Sequence, residues 1–166
     1  MCTLARSLLL LFGLTLTSVA GPAWAQARGS GGEIELSVAI VDGCTLSTTD
    51  VAFGLIIGAS GSIRAVGTVD VQCTADLDFV ISMDRGLYGR GNRRRMRNPA
   101  TGDFLRYQLY SDPAYTRRWA HQRARRVYGN SGATGSVSFP VYGELTFSGM
   151  ADSGRYEDTV TVTIDF

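Results

Sequence analysis

Alternation of apolar and polar residues with a period of two constrains the fold of this chain more than any other feature. It is clearest in the final run, whose apolar members are Val160, Val162, Ile164 and Phe166. Side chains that alternate in this way point to opposite faces of a β-strand, so one face can be buried while the other meets solvent. No stretch keeps the 3.6-residue period of an amphipathic helix over three turns. The pattern therefore predicts a chain built from strands.

Further segments rich in β-forming residues are separated by turns rich in Gly, Asn, Asp and Pro. The predicted strands are residues 34–40, 63–73, 79–83, 104–110, 137–142, 145–147 and 156–166. Short strands joined by such turns are typical of an all-β, immunoglobulin-like antiparallel sandwich, with a small barrel as the alternative. Residues 86–101 and 111–135 are predicted to be long connections outside the core. Trp119 is predicted to be a core anchor beneath the second connection, with a place on a contact surface as the alternative.

The first 25 residues have the three regions of a secretory signal in order. Arg6 ends a short basic start, residues 8–20 are almost continuously apolar, and Ala23-Trp24-Ala25 has the small residues of a cleavage site. The apolar run is too short to cross about 30 Å of hydrocarbon, so we expect no transmembrane anchor. The predicted organisation is a signal peptide at residues 1–25, a flexible leader at residues 26–40 and one domain at residues 41–166.

Removal of the signal peptide leaves two cysteines, Cys44 and Cys73. An exported chain meets an oxidising compartment in which such a pair usually closes, so we predict a disulfide. Closing a loop of about 30 residues stabilises a fold by roughly 3 to 4 kcal/mol in the chain-entropy description. Neither cysteine has a CxxC spacing or a histidine beside it, so nothing indicates a reactive thiol.

The chain has a single histidine, His121, which limits the chemistry it can perform. Catalytic triads, Cys-His dyads and multi-histidine metal sites would all depend on that residue. His121 lies among arginines, which disfavour its protonation and fit a surface position. Asp152, Glu157 and Asp158 are predicted to be turn and surface acids. We therefore expect no catalytic residues, no cofactor and no metal.

All 16 basic residues are arginines, and most of them lie in one segment. Residues 85–126 contain twelve arginines and two acids, whereas the rest of the chain after residue 25 contains three arginines and thirteen acids. Arginine binds phosphate and sulfate bidentately, so Arg93, Arg94 and Arg95 form a candidate polyanion patch. The favoured interpretation is instead a solvated loop whose charge is balanced by an acidic face of the same or a neighbouring subunit. The net charge of the chain after residue 25 is near zero, which argues against a dedicated nucleic-acid binder.

Several motifs, read in order, resemble the spore coat protein U family, the pilin-like subunits of archaic chaperone–usher pili. The resemblance runs from about residue 33 to residue 166. The motifs are VDGCT at 41–45, VAFG at 51–54, GTVDVQCT at 67–74, RM at 95–96, LRYQLYSD at 105–112, Trp119, VYG at 141–143 and GRYEDTVTVT at 154–163. Two places depart from the family. Ala120 stands where glycine is usual, and residues 144–146 replace a proline-containing segment.

The resemblance implies a sandwich that lacks one strand and is completed in a fibre by the N-terminal segment of the next subunit. The implied donor residues are Ile34, Leu36, Val38 and Ile40. The alternative is that these residues pair within their own domain. The resemblance also implies a periplasmic chaperone that contacts Val160, Val162, Ile164 and Phe166, an outer-membrane usher, and other pilin subunits.

These features predict a non-enzymatic structural subunit of a surface fibre that serves adhesion or biofilm formation. Such a subunit would be exported to the periplasm during assembly and then reach the cell surface. The alternatives are a secreted spore or cell coat protein of the same fold, and a secreted module that binds polyanions through residues 85–126.

Overall fold

The computed structural model describes residues 37–38, 41–57, 60–149 and 151–166. The predicted signal peptide and the predicted donor residues Ile34, Leu36 and Ile40 lie outside the described residues. Val38 is described and belongs to no strand. Residues Ala39–Phe166 form one compact unit, and the fold below is the fold of that unit.

The described residues form two antiparallel sheets. The strands are β1 Cys44–Thr48, β2 Ser60–Cys73, β3 Asp78–Met83, β4 Arg94–Arg97, β5 Phe104–Tyr110, β6 Val127–Asn130, β7 Ser136–Ser148 and β8 Val162–Asp165. The larger sheet has the order β1-β2-β7-β5-β4 and the smaller has the order β6-β3-β8. A short 3₁₀ helix, Arg123–Arg125, precedes β6. The predicted all-β, immunoglobulin-like antiparallel sandwich is therefore confirmed.

The core lies between the sheets and follows the period-two pattern of the sequence. Every second residue of β3 is buried, and Phe79, Ile81 and Met83 are at most 4% exposed. The inward residues of the larger sheet are buried as well, namely Val69, Val71, Leu105, Tyr107, Leu109, Val141 and Leu145. Since fully burying one Val, Leu, Ile, Phe or Met side chain is worth about 1.5 to 3 kcal/mol, this alternation contributes strongly to the stability of the sandwich.

Trp119 is 1% exposed, which confirms its predicted place in the core. Its indole N–H donates a hydrogen bond to the carbonyl oxygen of Ile81 at 3.1 Å. Its backbone N–H donates to the carbonyl oxygen of Leu109 at 2.9 Å. A residue from a long connection thus joins β3 of one sheet to β5 of the other.

Several strand bounds differ from the sequence prediction. Residues 86–101 and 111–135 were predicted to be connections, but they contain β4 and β6. These strands have four residues each, and β4 is RRMR, so neither offers an alternating apolar face to recognise. The short β1 was also not predicted. Residues 137–142 and 145–147 belong to one strand, β7, which continues through Gly143.

The final run pairs with more than one partner, which is why β8 is shorter than predicted. Residues 162–165 pair with β3. Before them, Thr159 and Thr161 accept hydrogen bonds from the backbone of Leu87 and Asp84. Glu157 forms an isolated bridge with Arg97. The run therefore stays extended from residue 157 onward, although only its last part belongs to a sheet ladder.

Two glycines on the inner face of the larger sheet make room for the segment that follows β1. A Cβ atom on Gly67 would lie 2.7 Å from the carbonyl oxygen of Thr49, and one on Gly143 would lie 2.9 Å from a ring carbon of Phe53. The backbone N–H of Thr49 donates to the carbonyl oxygen of Thr68 at 3.0 Å, which holds the segment across Gly67. Glycine is therefore required here for close backbone approach.

We predict that Gly67→Ala lowers the free energy of unfolding by about 1 to 3 kcal/mol, because the new methyl group meets backbone oxygens that cannot rotate away. Urea denaturation measures the loss. Gly43→Ala is the matched control, since nothing lies within 4 Å of a Cβ at that position. Equal stability of the two variants would contradict the close approach.

The predicted disulfide between Cys44 and Cys73 is confirmed. The two residues are direct partners in the ladder between β1 and β2. The sequence separation of the pair is 29 residues, so the bond closes a loop that includes all of β2 and the segment crossing Gly67. It therefore fixes the register of an edge strand that has only β2 as a neighbour among the described residues.

We predict that replacing both cysteines with alanine lowers the free energy of unfolding by about 3 to 4 kcal/mol, because the unfolded chain regains the freedom of that loop. Denaturant unfolding under oxidising conditions measures the change. Wild-type protein treated with a reductant is the control and should approach the stability of the variant. An unchanged unfolding midpoint in both would show that the bond does not constrain the unfolded chain.

Candidate subunit-assembly surface

The final strand β8 is an edge strand of the smaller sheet. Among the described residues its only neighbour is β3, with Ile164 opposite Ile81 and Thr163 opposite Ser82. In a ladder, successive residues direct their N–H and C=O groups to alternate edges. One edge of β8 is therefore unpaired within this part of the chain, and an unpaired edge is a template for another strand.

Burial falls sharply from β3 to the final run. The inward side chains of β3 are at most 4% exposed, whereas Val160, Val162 and Ile164 pack against the core but are only partly buried. Phe166 is 60% exposed. Neighbouring strands lie about 4.8 Å apart, so solvent reaches the core within one strand spacing. This is the pattern of a sheet that ends before its apolar face is covered.

The segment after β1 also presents apolar side chains. Val51, Phe53 and Ile56 pack against the core, while Leu55 and Ile57 are 84% and 86% exposed. Isolated exposed apolar residues are common on protein surfaces, but two within three residues beside an edge strand form a local apolar surface. This segment is therefore a second place where the described residues leave apolar side chains exposed.

A buried polar cluster fixes the start of the final run. We call Asp84, Arg94, Tyr107 and Asp158 the C-terminal anchor. The phenol of Tyr107 donates to Asp158 Oδ2 at 2.6 Å, and the backbone N–H of Tyr88 donates to Asp158 Oδ1 at 3.3 Å. Asp158 is half-buried, so its predicted place among the surface acids is wrong. It is a hydrogen-bond acceptor beneath the turn that follows β3.

Asp84 also links the turn after β3 to the final run. Its Oδ1 accepts hydrogen bonds from the backbone N–H groups of Gly86 at 2.8 Å and Thr161 at 3.0 Å. Its own N–H donates to the carbonyl oxygen of Thr161 at 3.0 Å. Because each bond restricts the same few residues, the anchor positions the chain immediately before β8.

Arg94 belongs to the anchor and not to an exposed patch. It is 3% exposed, and its Nε donates to the carbonyl oxygen of Asp84 at 3.0 Å. Burial lowers the pKa of Arg94, while the negative charges of Asp84 and Asp158 act in the opposite direction. The carbonyl contacts and the nearby carboxylates together compensate a buried guanidinium.

The other two members of the predicted patch also differ from one another. Arg95 donates from Nε to the carbonyl oxygen of Tyr88 at 2.8 Å, and its guanidinium carbon lies 4.2 Å from the centre of the Phe104 ring. Arg93 is exposed. The predicted patch of Arg93, Arg94 and Arg95 is therefore corrected: successive residues of β4 face opposite sides of the sheet, so Arg94 is buried while Arg95 is not.

One signal in the sequence could have indicated the anchor. Tyr107 lies at an inward position of β5, between the inward residues Leu105 and Leu109. A buried phenol needs a hydrogen-bond partner, so the chain must bring an acceptor to that position. The sequence does not say which acid this is, because Asp158 lies far away in the chain.

Burial raises the pKa of Tyr107, and the hydrogen bond to Asp158 raises it further. The unfolded tyrosine loses its proton near its ordinary pKa of 10.0, whereas the folded one keeps it. The stability that this pair contributes is thus complete below pH 10 and is lost as the pH rises further.

We predict that the free energy of unfolding of the wild type falls above pH 10 and that Tyr107→Phe removes about 1.4 kcal/mol per pH unit from that slope. Denaturant unfolding at several pH values measures it. Tyr128→Phe is the control, since Tyr128 is 63% exposed. Equal slopes for the two variants would contradict a titrating role for Tyr107.

Within the described ranges, no three His, Cys, Asp or Glu side chains are grouped so that they could hold a metal ion. His121 is exposed, as predicted. In the same part of the chain, no helix has both the length and the apolar character needed to cross a membrane.

The disulfide-linked sandwich with a partly covered final strand defines an immunoglobulin-like β-domain, and its sequence assigns it to a family. The Spore Coat Protein U domain matches residues 31–163. The chain belongs to the Spore Coat Protein U domain family, as its motifs predicted.

Two comparisons place the chain among known proteins. It is 35% identical to Protein U of Myxococcus xanthus over 114 residues, which cover 60% of this chain and 59% of Protein U. It is similar in structure to a chain of the CsuC-CsuE chaperone-tip adhesion subunit pre-assembly complex from archaic chaperone-usher Csu pili of Acinetobacter baumannii. That similarity has a TM-score of 0.58 at 20% identity, and it covers 76% of this chain but 40% of the other. At this identity the likeness concerns the fold.

Proposed function

We infer that this protein is a structural, non-enzymatic subunit of an exported chaperone–usher fibre. The observation that carries the proposal is the fall in burial from β3, at most 4% exposed, to the partly covered final run beside an unpaired edge. A sheet that ends in this way gains both backbone hydrogen bonds and apolar burial when another strand is added.

The predicted donor residues suit this edge in spacing and chemistry. Ile34, Leu36, Val38 and Ile40 are two residues apart, as are Val160, Val162 and Ile164 in the final run. Both sets repeat every 6.6 Å or so along an extended chain, because each residue advances by about 3.3 Å. A donor laid beside β8 would thus place apolar side chains in step with those of the acceptor. The glycine-rich leader before residue 34 would give the donor the freedom to leave its own domain.

The same surface accounts for the need for a chaperone. On a subunit that has no neighbour, Val160, Val162 and Ile164 are only partly covered and Phe166 is exposed, and such an edge favours aggregation. A periplasmic chaperone would cover it after export, and an outer-membrane usher would exchange the chaperone for the next subunit's donor strand. The solved structure with a similar fold comes from a chaperone–subunit pre-assembly complex, which supports this order of events.

A fibre of such subunits would reach the cell surface and serve adhesion or biofilm formation. The alternative is a coat layer built from the same fold. The similarity to Protein U and the family's description support this alternative. The two functions differ in how subunits are joined. A fibre requires donor strands shared between subunits, whereas a coat layer could be built from domains that pair their own first strand.

We predict that surface-sheared wild-type protein runs in SDS as a ladder that collapses to a monomer on boiling. Replacing Ile34, Leu36, Val38 and Ile40 with serine should abolish the ladder, because each buried side chain is worth about 1.5 to 3 kcal/mol. Electrophoresis with and without boiling is the measurement, made with the full chain in its own host.

The matched control replaces Glu33, Glu35 and Ala39 with serine, since these residues occupy the opposite face of the predicted strand. The control should keep the ladder. A monomer in wild type at both temperatures, with the disulfide formed and the protein exported, would overturn the fibre and favour the coat. A ladder that persists when Ile34, Leu36, Val38 and Ile40 are serine would mean that another segment is the donor.

A further inference from the structure

We propose that residues 111–126 form a binding cleft for acidic polysaccharides, in which arginine side chains hold sulfate or carboxylate groups. The cleft has a volume of about 430 Å³. Its polar lining consists of Ser111, Thr116, Arg117, Arg118, Arg125 and Arg126. This site is separate from the predicted patch at residues 93–95 and does not depend on the proposed fibre.

The first wall of the cleft is a loop closed by its own hydrogen bonds. The N–H of Ser111 donates to the carbonyl oxygen of Arg117 at 2.9 Å. The carboxylate of Asp112 accepts the backbone N–H groups of Thr116 at 3.1 Å and Arg117 at 2.6 Å. The loop therefore holds the starting points of Arg117 and Arg118 in place before any ligand arrives.

The second wall is the 3₁₀ helix and the residues on either side of it. The N–H of Ala120 donates to the carbonyl oxygen of Arg125 at 2.9 Å. Arg126 donates from Nε to the carbonyl oxygen of His121 at 2.8 Å, which orients its guanidinium. Both Arg125 and Arg126 are half-buried, so their side chains have less freedom to lose on binding than fully exposed ones.

The positive charge of the cleft is not balanced by ion pairs. The salt bridges found among the described residues are Arg64 with Glu144 and Arg155 with Glu157, and neither involves an arginine of the cleft. Asp112 is the nearest acid in sequence; its oxygens are engaged by the loop, and its attraction to Arg117 offsets part of the charge of the four cleft arginines. Four guanidinium groups around one concave surface create a positive potential that favours an anion.

A small cavity beside the cleft adds an unpaired hydrogen-bond acceptor to the site. Arg118 and Arg125 line both spaces. The small cavity has about 10 Å³, which is room for one water molecule or one hydroxyl group. The Oε1 atom of Gln122, in its wall, is buried and has no hydrogen-bond partner within the described part of the chain. An acceptor in this position suits a hydroxyl donor beside the anionic group.

The lining selects among anionic ligands. Among the described residues that line the cleft, none is aromatic, so no nucleic-acid base could stack there, and the one apolar residue is an alanine, which offers little to a lipid chain. The guanidinium fork matches sulfate and carboxylate geometry. A polysaccharide that carries these groups on a hydroxyl-rich backbone satisfies both the arginines and the unpaired acceptor.

Binding to immobilised heparin and to alginate tests the proposal in its sulfate and carboxylate forms. Dextran is the neutral comparison, and a single-stranded oligo-dT of similar charge is the nucleic-acid comparison. We expect Arg117→Ser with Arg118→Ser to raise the Kd for the preferred acidic polysaccharide about tenfold or more, because charge-assisted hydrogen bonds are lost. Arg117→Lys with Arg118→Lys should give a smaller loss of affinity, because lysine keeps the positive charge but lacks the planar guanidinium that binds an anion bidentately.

The matched control is Arg90→Ser with Arg93→Ser, which removes the same charge from exposed positions in the arginine-rich segment. It should change the Kd less than about twofold, because the charge it removes lies outside the cleft. Thermal unfolding confirms that each variant is folded, and the lysine variant serves if the serine variant is not. Equal losses in both serine variants would assign binding to diffuse charge and overturn the cleft. Absence of polysaccharide binding, or equally tight binding of oligo-dT, would also overturn the proposal.

Discussion

Two sheets of unequal size impose the main constraint on this domain. A five-stranded sheet presents more inner surface than a three-stranded sheet can cover, so other parts of the chain must cover the remainder. Trp119 enters from a long connection, and Val51 and Phe53 enter from the segment that crosses Gly67 and Gly143. The final run covers the part of that inner surface nearest to it only partly. Core composition, glycine placement and the proposed assembly surface all follow from this mismatch.

Features that depend on local alternation could be predicted from the sequence. The period-two pattern located β2, β3 and β5, and export with two cysteines predicted the disulfide. The four-residue strands β4 and β6 were missed because a strand so short has no recognisable period, and its pairing depends on a neighbour distant in sequence. Gly143 suggested a break between two strands, whereas it allows one strand to lie close to Phe53. That distinction depends on a tertiary contact.

The burial and hydrogen-bond partners of a charged side chain are much harder to predict than the strand face on which it lies. Arg94 is buried on carbonyl oxygens, Arg95 stacks on Phe104, and Arg64 lies over Tyr115 while it pairs with Glu144. All three are arginines, so residue type alone does not distinguish their environments. The sequence likewise predicts a surface acid at Asp158, because its partner Tyr107 is 51 residues away in the chain. Sequence alone gives the charge and the strand face, but the partners come from the fold.

The disulfide also decides which strands of the domain are exchangeable. Edge strands in a sheet compete with any incoming strand for the same neighbour, and the weaker one can be displaced. β1 is linked covalently to β2 through Cys44 and Cys73, so in the oxidised protein a competitor cannot remove it from β2. β8 is held to β3 by hydrogen bonds and side-chain packing. Of the four edge strands in the described sheets, oxidation thus makes β1 permanent and leaves β4, β6 and β8 held by non-covalent contacts alone.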